Sequence, residues 1–160
     1  LKDQPFQFYA TQMTVRLTTA EASGAYALME MHHPPGVGPA LHVHPRSPES
    51  FYVLEGQYTF FLDGGSVPAH PGSAVSIPAG VPHRYVSGPG GGRLLVMIPP
   101  GLEEYFWTIS KLLQKGPVPM EHEFALAARL GQDFLDGHEH WGGHAAPKME
   151  KNPDESRRTP

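Results

Sequence analysis

Between Gly24 and Pro99 every apolar run of this chain is bounded by a glycine or a proline. Glycine admits backbone angles closed to other residues, and proline fixes φ and removes a donor, so both end regular structure. The 18 glycines and 18 prolines of the 160 residues therefore point to short strands joined by turns, an all-β domain.

The runs follow in order. "MTVRLT" (Met13 to Thr18) and "AYALMEMH" (Ala25 to His32) read as strands joined through "EASG". In "LHVH", Leu41 and Val43 alternate with His42 and His44. "SFYVLEGQYTFFLDGG" reads as two strands broken near Gly56 and closed by an Asp-Gly-Gly turn. "SAVSIP", "HRYVS" and "RLLVMI" complete about eight strands by Pro99, enough for a sandwich or barrel. The period then becomes helical: Leu102, Tyr105, Phe106, Ile109 and Leu113 share a face, and Gly116 offers a stop. A second amphipathic helix is expected from Glu121 to Leu130, with Gly131 just beyond its end. Phe134 and Leu135 read as a last packed segment. No internal repeat is visible, so residues 1–136 form one domain and 137–160 a polar, extended tail.

Composition narrows the chemistry. Twelve basic and 16 acidic residues give a formal charge of −4, with the basic ones scattered, which argues against nucleic acid or an anionic membrane as partner. The chain has no cysteine, so disulfides and thiolate metal sites are excluded and any metal must use His, Asp or Glu. The aliphatic runs are too short to span a bilayer. No secretory pattern opens the chain at Leu1, and a soluble cytoplasmic protein is the expectation.

His42 and His44 stand at i and i+2, a spacing that turns both imidazoles to one side of a strand. Glu49 follows across the Pro-stiffened "PRSP", and His83 comes in "PAGVPH", where strand, turn and strand would set it opposite the first pair. Three imidazoles and a carboxylate suit one divalent transition metal: Fe, Mn, Co, Ni, Cu or Zn. Each part alone also has a plain reading. Histidines are common on surfaces, Glu49 is within reach of Arg46 as a surface pair, and "PAGVPH" makes a turn whatever else it does.

The joint pattern resembles the cupin superfamily. Gly36, His42, His44, Glu49 and Gly56 match the first cupin motif, and Gly72, Pro78, Gly80 and His83 the second, with residues 57–71 between them. Ser87 stands where asparagine is usual, a departure that bears on turn geometry and not on the ligands. From Ala25 to Leu135 the chain is similar to the single-domain quercetin dioxygenase-like cupins, although "DGHEHWGG" replaces their usual Gly-Pro-Pro. The resemblance implies a jelly-roll β-barrel with two short C-terminal α-helices. It also implies a metal held by His42, His44, Glu49 and His83, with Glu49 doubling as general base. A dioxygenase acting on a flavonol or another aromatic or enol small molecule is implied, with dioxygen as co-substrate. A metal-assisted isomerase or cyclase and a non-catalytic binding cupin are the alternatives. The resemblance and the need to cover sheet edges imply a homodimer, to which the run before Ala25 would lend a strand.

Period two places Phe51 and Val53 on the face of Glu49, and Tyr85 on that of His83. With Phe106 closing the mouth they are the candidate pocket residues, core packing being the other reading. Met29, Met31 and Met97 stand between the same two readings. One of His32 and His33 is a candidate to approach the pocket, while His70 and His122 are expected at the surface. His138, His140 and His144 read as a solvated tail, with a secondary zinc site or an intersubunit contact as the rival readings.

Overall fold

The turn-bounded runs pair into one curled antiparallel sheet in a computed structural model that describes residues 1–142. Its strands are β1 (Phe6–Phe8), β2 (Thr11–Leu17), β3 (Ala27–His33), β4 (His42–Val43), β5 (Glu49–Leu62), β6 (Gly65–Ala69), β7 (Ala74–Ile77), β8 (His83–Ile98) and β9 (Asp133–Phe134). The helices are α1 (Glu103–Leu113) and α2 (Met120–Arg129). One path runs β1-β2-β3-β8-β4-β9, and β5 lies against β6, β7 and β8. This is the expected jelly roll with two short helices. The remaining tail, His144 included, lies outside the described residues.

Two long strands make the curl. β5 and β8 were each expected as two strands, and each is continuous. They pair with each other from Ser50↔Met97 to Leu62↔His83, with register shifts between Val53 and Glu55 and between Gly56 and Tyr58. Bulges of this kind bend a strand and raise its twist without ending it. The inward set changes parity across the bend: Glu49, Phe51 and Val53 are buried on one side of it, Tyr58 and Phe60 on the other. β8 does the same, burying His83, Tyr85 and Ser87 and then Leu94, Val96 and Ile98. One end of each strand thus carries chemistry and the other carries core. β6, not foreseen, follows the Asp63-Gly64 turn, in which both residues have positive φ and Leu62 pairs with Gly65.

The N-terminal run forms β1 and β2, which extend the chain's own sheet through β3. Phe8, Met13, Val15, Met29 and Met31 fill the interior there, while Met97 is 41% exposed on the outer face. α1 covers β1: Phe8 lies edge-on to Tyr105 and Phe106, and Ser110 Oγ donates to the Gln7 carbonyl at 2.8 Å. After α2 the chain runs back along residues 38–44. Phe134 pairs with His42, the Leu135 N–H donates to the Leu41 carbonyl, and the Trp141 N–H donates to the Gly38 carbonyl. Leu135 itself points outward at 51% exposure, and His140 and Trp141 are buried. His140 therefore does not belong to a solvated segment, because partners far away in sequence enclose it.

Gly56 shows what the bend requires. Its φ is +77°, and a Cβ there would stand 2.1 Å from the Gly91 carbonyl oxygen. Gly64 has the same φ with nothing within 4 Å. Gly64→Ala is expected to cost about 1 kcal/mol, the left-handed backbone penalty alone, and Gly56→Ala roughly 3 kcal/mol or more, because backbone must move. Urea unfolding of the two variants measures the gap, and equal losses would show that the close approach to Gly91 is not tight.

Candidate metal centre

The structure brings all four expected side chains together. His42 lies on β4, His44 just after it, Glu49 opens β5 and His83 opens β8. All are at most 5% exposed, and one ligand atom from each lies within 4.8 Å of the others. Glu49 Oε2 stands 3.1 Å from His44 Nε2, 2.9 Å from His83 Nε2 and 3.8 Å from His42 Nε2. Donors at ~2.1 Å from an ion sit roughly 3 Å apart when adjacent and roughly 4.2 Å when opposite, so the spread suits one metal. Glu49 pairs with these imidazoles and not with Arg46, whose side chain is exposed.

The other ring nitrogens decide the protonation. His42 Nδ1 donates to the Ala40 carbonyl at 2.8 Å, His44 Nδ1 to the Gly131 carbonyl at 3.1 Å and His83 Nδ1 to the Val81 carbonyl at 2.9 Å. A carbonyl only accepts, so each Nδ1 carries its proton, and an Nε2 that shares no proton with Glu49 presents a lone pair inward. Three lone pairs and a carboxylate facing one point repel unless cations lie between them. Either protons bind there or a metal ion does. Burial pushes His42 down to about 4, helped by His83 and opposed by Glu49. Burial also weighs against a charged His44, but Glu49 outweighs it and the pKa rises. Burial would raise Glu49, yet His44 and hydrogen bonds from all three imidazoles hold it well below the usual carboxylate range. An ionised acid beside a neutral, backbone-oriented imidazole is the state a divalent ion needs. The donor set fits one.

A second buried polar group surrounds His33. Tyr58 OH and His33 Nδ1 are 2.8 Å apart, His33 Nε2 is 3.4 Å from Tyr85 OH, and His33 stacks on Trp141. Burial pushes His33 down to about 3. Of the expected pocket residues, Phe51 lies edge-on to Tyr85 and to His83, and Val53 and Tyr85 are buried beside them. Phe106 packs against Phe8, Tyr105 and Trp141, and the ring that reaches His42 is Phe134, at 5.7 Å. His70 and His122 are exposed as expected; of the pair His32 and His33, His32 is exposed and His33 is the buried one. An open cavity of about 580 Å³ lies at the turn after β5, with Phe61 and residues 63–66 in its wall and none of the four candidate ligands. It is also lined by Leu41 and Pro82, which precede His42 and His83, and by Leu62, which pairs with His83.

Ser87, in place of the usual asparagine, keeps the turn: its hydroxyl lies 2.6 Å from the Pro34 carbonyl and accepts from the Val37 N–H at 3.0 Å. Sequence reasoning missed Glu123, buried under the barrel and contacted by Tyr9, Tyr105 and His140. The signal was there: Glu123 is one helical turn from Ala127, on the apolar stripe of α2.

A cupin domain family profile matches residues 29–101, which span every candidate ligand. The chain belongs to the cupin superfamily. It is 31% identical over 112 residues to the quercetin 2,3-dioxygenase of Bacillus subtilis (strain 168), a match covering 69% of this chain and 33% of that protein. The chain thus spans about a third of the length of this curated relative. Among solved structures it is similar to an RmlC-like cupin from Shewanella frigidimarina NCIMB 400 (TM-score 0.52, 19% identity, 64% of this chain and 87% of that one). It is also similar to the Cnp3 cupin domain of Schizosaccharomyces pombe (TM-score 0.53, 13% identity, 68% and 72%). At these identities the structural likeness shows the fold.

Metal removal tests the centre. At about 100 times its Kd, a divalent ion is expected to raise the unfolding free energy by about 2.7 kcal/mol, and a chelator to reverse it. His83→Ala should lose most of that gain, and denaturation curves that ignore the ion would refute the site. His33 makes a separate forecast. Its folded pKa is depressed, so the unfolded chain binds the extra proton. Its contribution is complete above pH 6.5 and is lost as pH falls toward 3. Across that window wild-type stability should fall more steeply than that of His33→Gln, by up to about 1.4 kcal/mol per pH unit. Parallel pH profiles would show that His33 is not held neutral.

Proposed function

We propose that this cupin is a metal-dependent dioxygenase that opens an aromatic or enol small molecule, with flavonols as one candidate class. What supports the reading is the buried His42, His44, Glu49 and His83 group within a stretch 31% identical to a quercetin 2,3-dioxygenase. The interior beside the group is apolar and aromatic, with Phe51, Val53 and Tyr85.

The residues have separable tasks. His42, His44 and His83 would hold the ion through Nε2, each fixed by a backbone carbonyl behind it. A bound divalent ion supplies Lewis acidity, which makes a coordinated enol hydroxyl more acidic, and open positions for substrate and dioxygen. Glu49 takes the hydroxyl proton. A carboxylate held this firmly ionised is a weak base, so it serves only a hydroxyl acidified in that way. Phe51 and Tyr85 flank the reacting end and exclude water. Assembly as a cytoplasmic homodimer belongs to the same proposal. Tyr52 and Met97, 46% and 41% exposed on the outer face of the sheet, line an apolar cavity with Leu28 and Leu95, where a second copy would pack.

The experiment is oxygen uptake by protein stripped and reloaded separately with Fe(II), Mn(II), Co(II) and Ni(II), against flavonols and simpler enols. Uptake that follows one metal, vanishes in His42→Ala and falls at least 100-fold in Glu49→Gln with metal retained is the expected result. Turnover in anaerobic buffer would replace the dioxygenase with an isomerase or cyclase. Ligand-induced stabilisation without product under either atmosphere would leave a binding module. Sedimentation of the same preparations reads the assembly.

A further inference from the structure

One of the three imidazoles is oriented from outside the stretch that matches the cupin profile, and a second is linked to that outside segment through its backbone partner. Gly131, which accepts from His44 Nδ1, and the segment around His140 both lie beyond residue 101. The path to His42 is continuous. Its Nδ1 donates to the Ala40 carbonyl at 2.8 Å, and the N–H of the same Ala40 donates to His140 Nδ1 at 3.3 Å. The His140 Nδ1 that accepts this bond carries no proton, so the ring proton is on Nε2. That nitrogen donates to Glu123 Oε1 at 2.6 Å. Burial opposes ionisation of Glu123, but hydrogen bonds from His140, Tyr105 and Tyr9 hold it down to about 2. The carboxylate is thereby kept as an acceptor, which fixes the His140 tautomer that Ala40 requires.

We propose that His140 is a positioning residue for the metal centre: by holding the Ala40 N–H it fixes the carbonyl that orients His42, and Glu123 holds His140. Only φ and ψ of one buried residue separate the N–H of Ala40 from its C=O, so a grip on the first narrows the positions open to the second. The surroundings support a rigid link. Ala40 and His140 are 0% exposed, His140 bridges to Gly38, and Trp141 donates to the Gly38 carbonyl at 2.7 Å. Phe134 lies 4.6 Å from the His140 ring and 5.7 Å from that of His42, bracing both. Packing alone would explain a phenylalanine at position 140. It does not explain a ring with one nitrogen accepting from the metal-bearing loop and the other donating to a buried acid.

This inference rests on the metal reading of the His42 group, and one titration separates the two. Co(II) is added to the metal-stripped full chain, with affinity read by calorimetry and ligand geometry by the visible d–d bands. His140→Ala is expected to weaken Co(II) about 10- to 100-fold, the usual loss for a group behind a metal ligand, and to shift the bands. His140→Phe keeps the ring volume without the hydrogen bonds and should show the same loss, which carries the comparison if the alanine variant does not fold. His140→Gln, whose amide offers one acceptor and one donor, should restore affinity and spectrum. Trp141→Phe, a neighbouring core change that leaves the relay intact, should bind as wild type. Wild-type protein that takes no Co(II) overturns the metal reading and this inference with it. Wild-type binding with an unaltered affinity in folded His140→Phe overturns the inference alone, as does an equal loss in Trp141→Phe.

Discussion

Everything around the centre depends on keeping three imidazole lone pairs and one carboxylate aimed at the same point inside a protein. Water would screen such a cluster at the surface, but here it is nearly excluded, and an unpaired charge in that setting is costly. The solution visible in the structure is directional. Each Nδ1–H is committed to a backbone carbonyl, at Ala40, Val81 or Gly131, so no imidazole can swing round and satisfy Glu49 by changing tautomer. The cluster is left with one way to balance its charge, which is to bind cations.

The same demand explains the shape of the barrel. Glu49 and His83 open the two longest strands of the sheet, and both strands change parity at their glycine-rich bends. Without that change, the residues that follow the core at one end would point outward at the other, and a strand could not supply both a ligand and a packed interior. Gly56 and Gly92, paired across the bend, allow two backbones to approach more closely than a Cβ permits. The bend is therefore part of the site, although it carries none of the four candidate ligands.

Much of this was legible in the chain because it is local. His42 with His44, Glu49 after a stiff turn, and His83 after "PAGVP" depend on spacing within a strand and a turn, and so do Phe51, Val53 and Tyr85. The helices were placed to within a residue or so, since an apolar stripe ending at glycine is also local information. Other features were hidden for identifiable reasons. Gly56 and the glycines after Ser87 read as chain breaks, because nothing nearby in sequence says that a partner strand will bend with them. β1 is three residues long and β6 carries Pro68, so neither shows a usable period. His140 stands in a polar, glycine-flanked string that looks like a tail. Its burial comes from Ala40 and Glu123, far off along the chain, and no window around residue 140 contains them.

The placement of His42 and His44 then raises the question of what holds them. β4 is two residues long, and its ladder to β8 has a single register pair, His42↔His83. So short a strand fixes little: a handful of hydrogen bonds against the freedom of a proline-bounded loop. Half of the donor set thus sits on or just after a two-residue strand, between Pro39 and Pro45. The segment after α2 supplies what the ladder lacks. β9 pairs with β4 on its open edge, Gly131 takes the His44 proton donor, and the residues around His140 close over the loop before His42. A binding loop of few contacts belongs to the low-stability end of a fold, and it becomes a precise one only when something rigid is laid across it. In this cupin that part falls to the helical C-terminal extension, which makes the extension a component of the centre as much as a cover for the barrel.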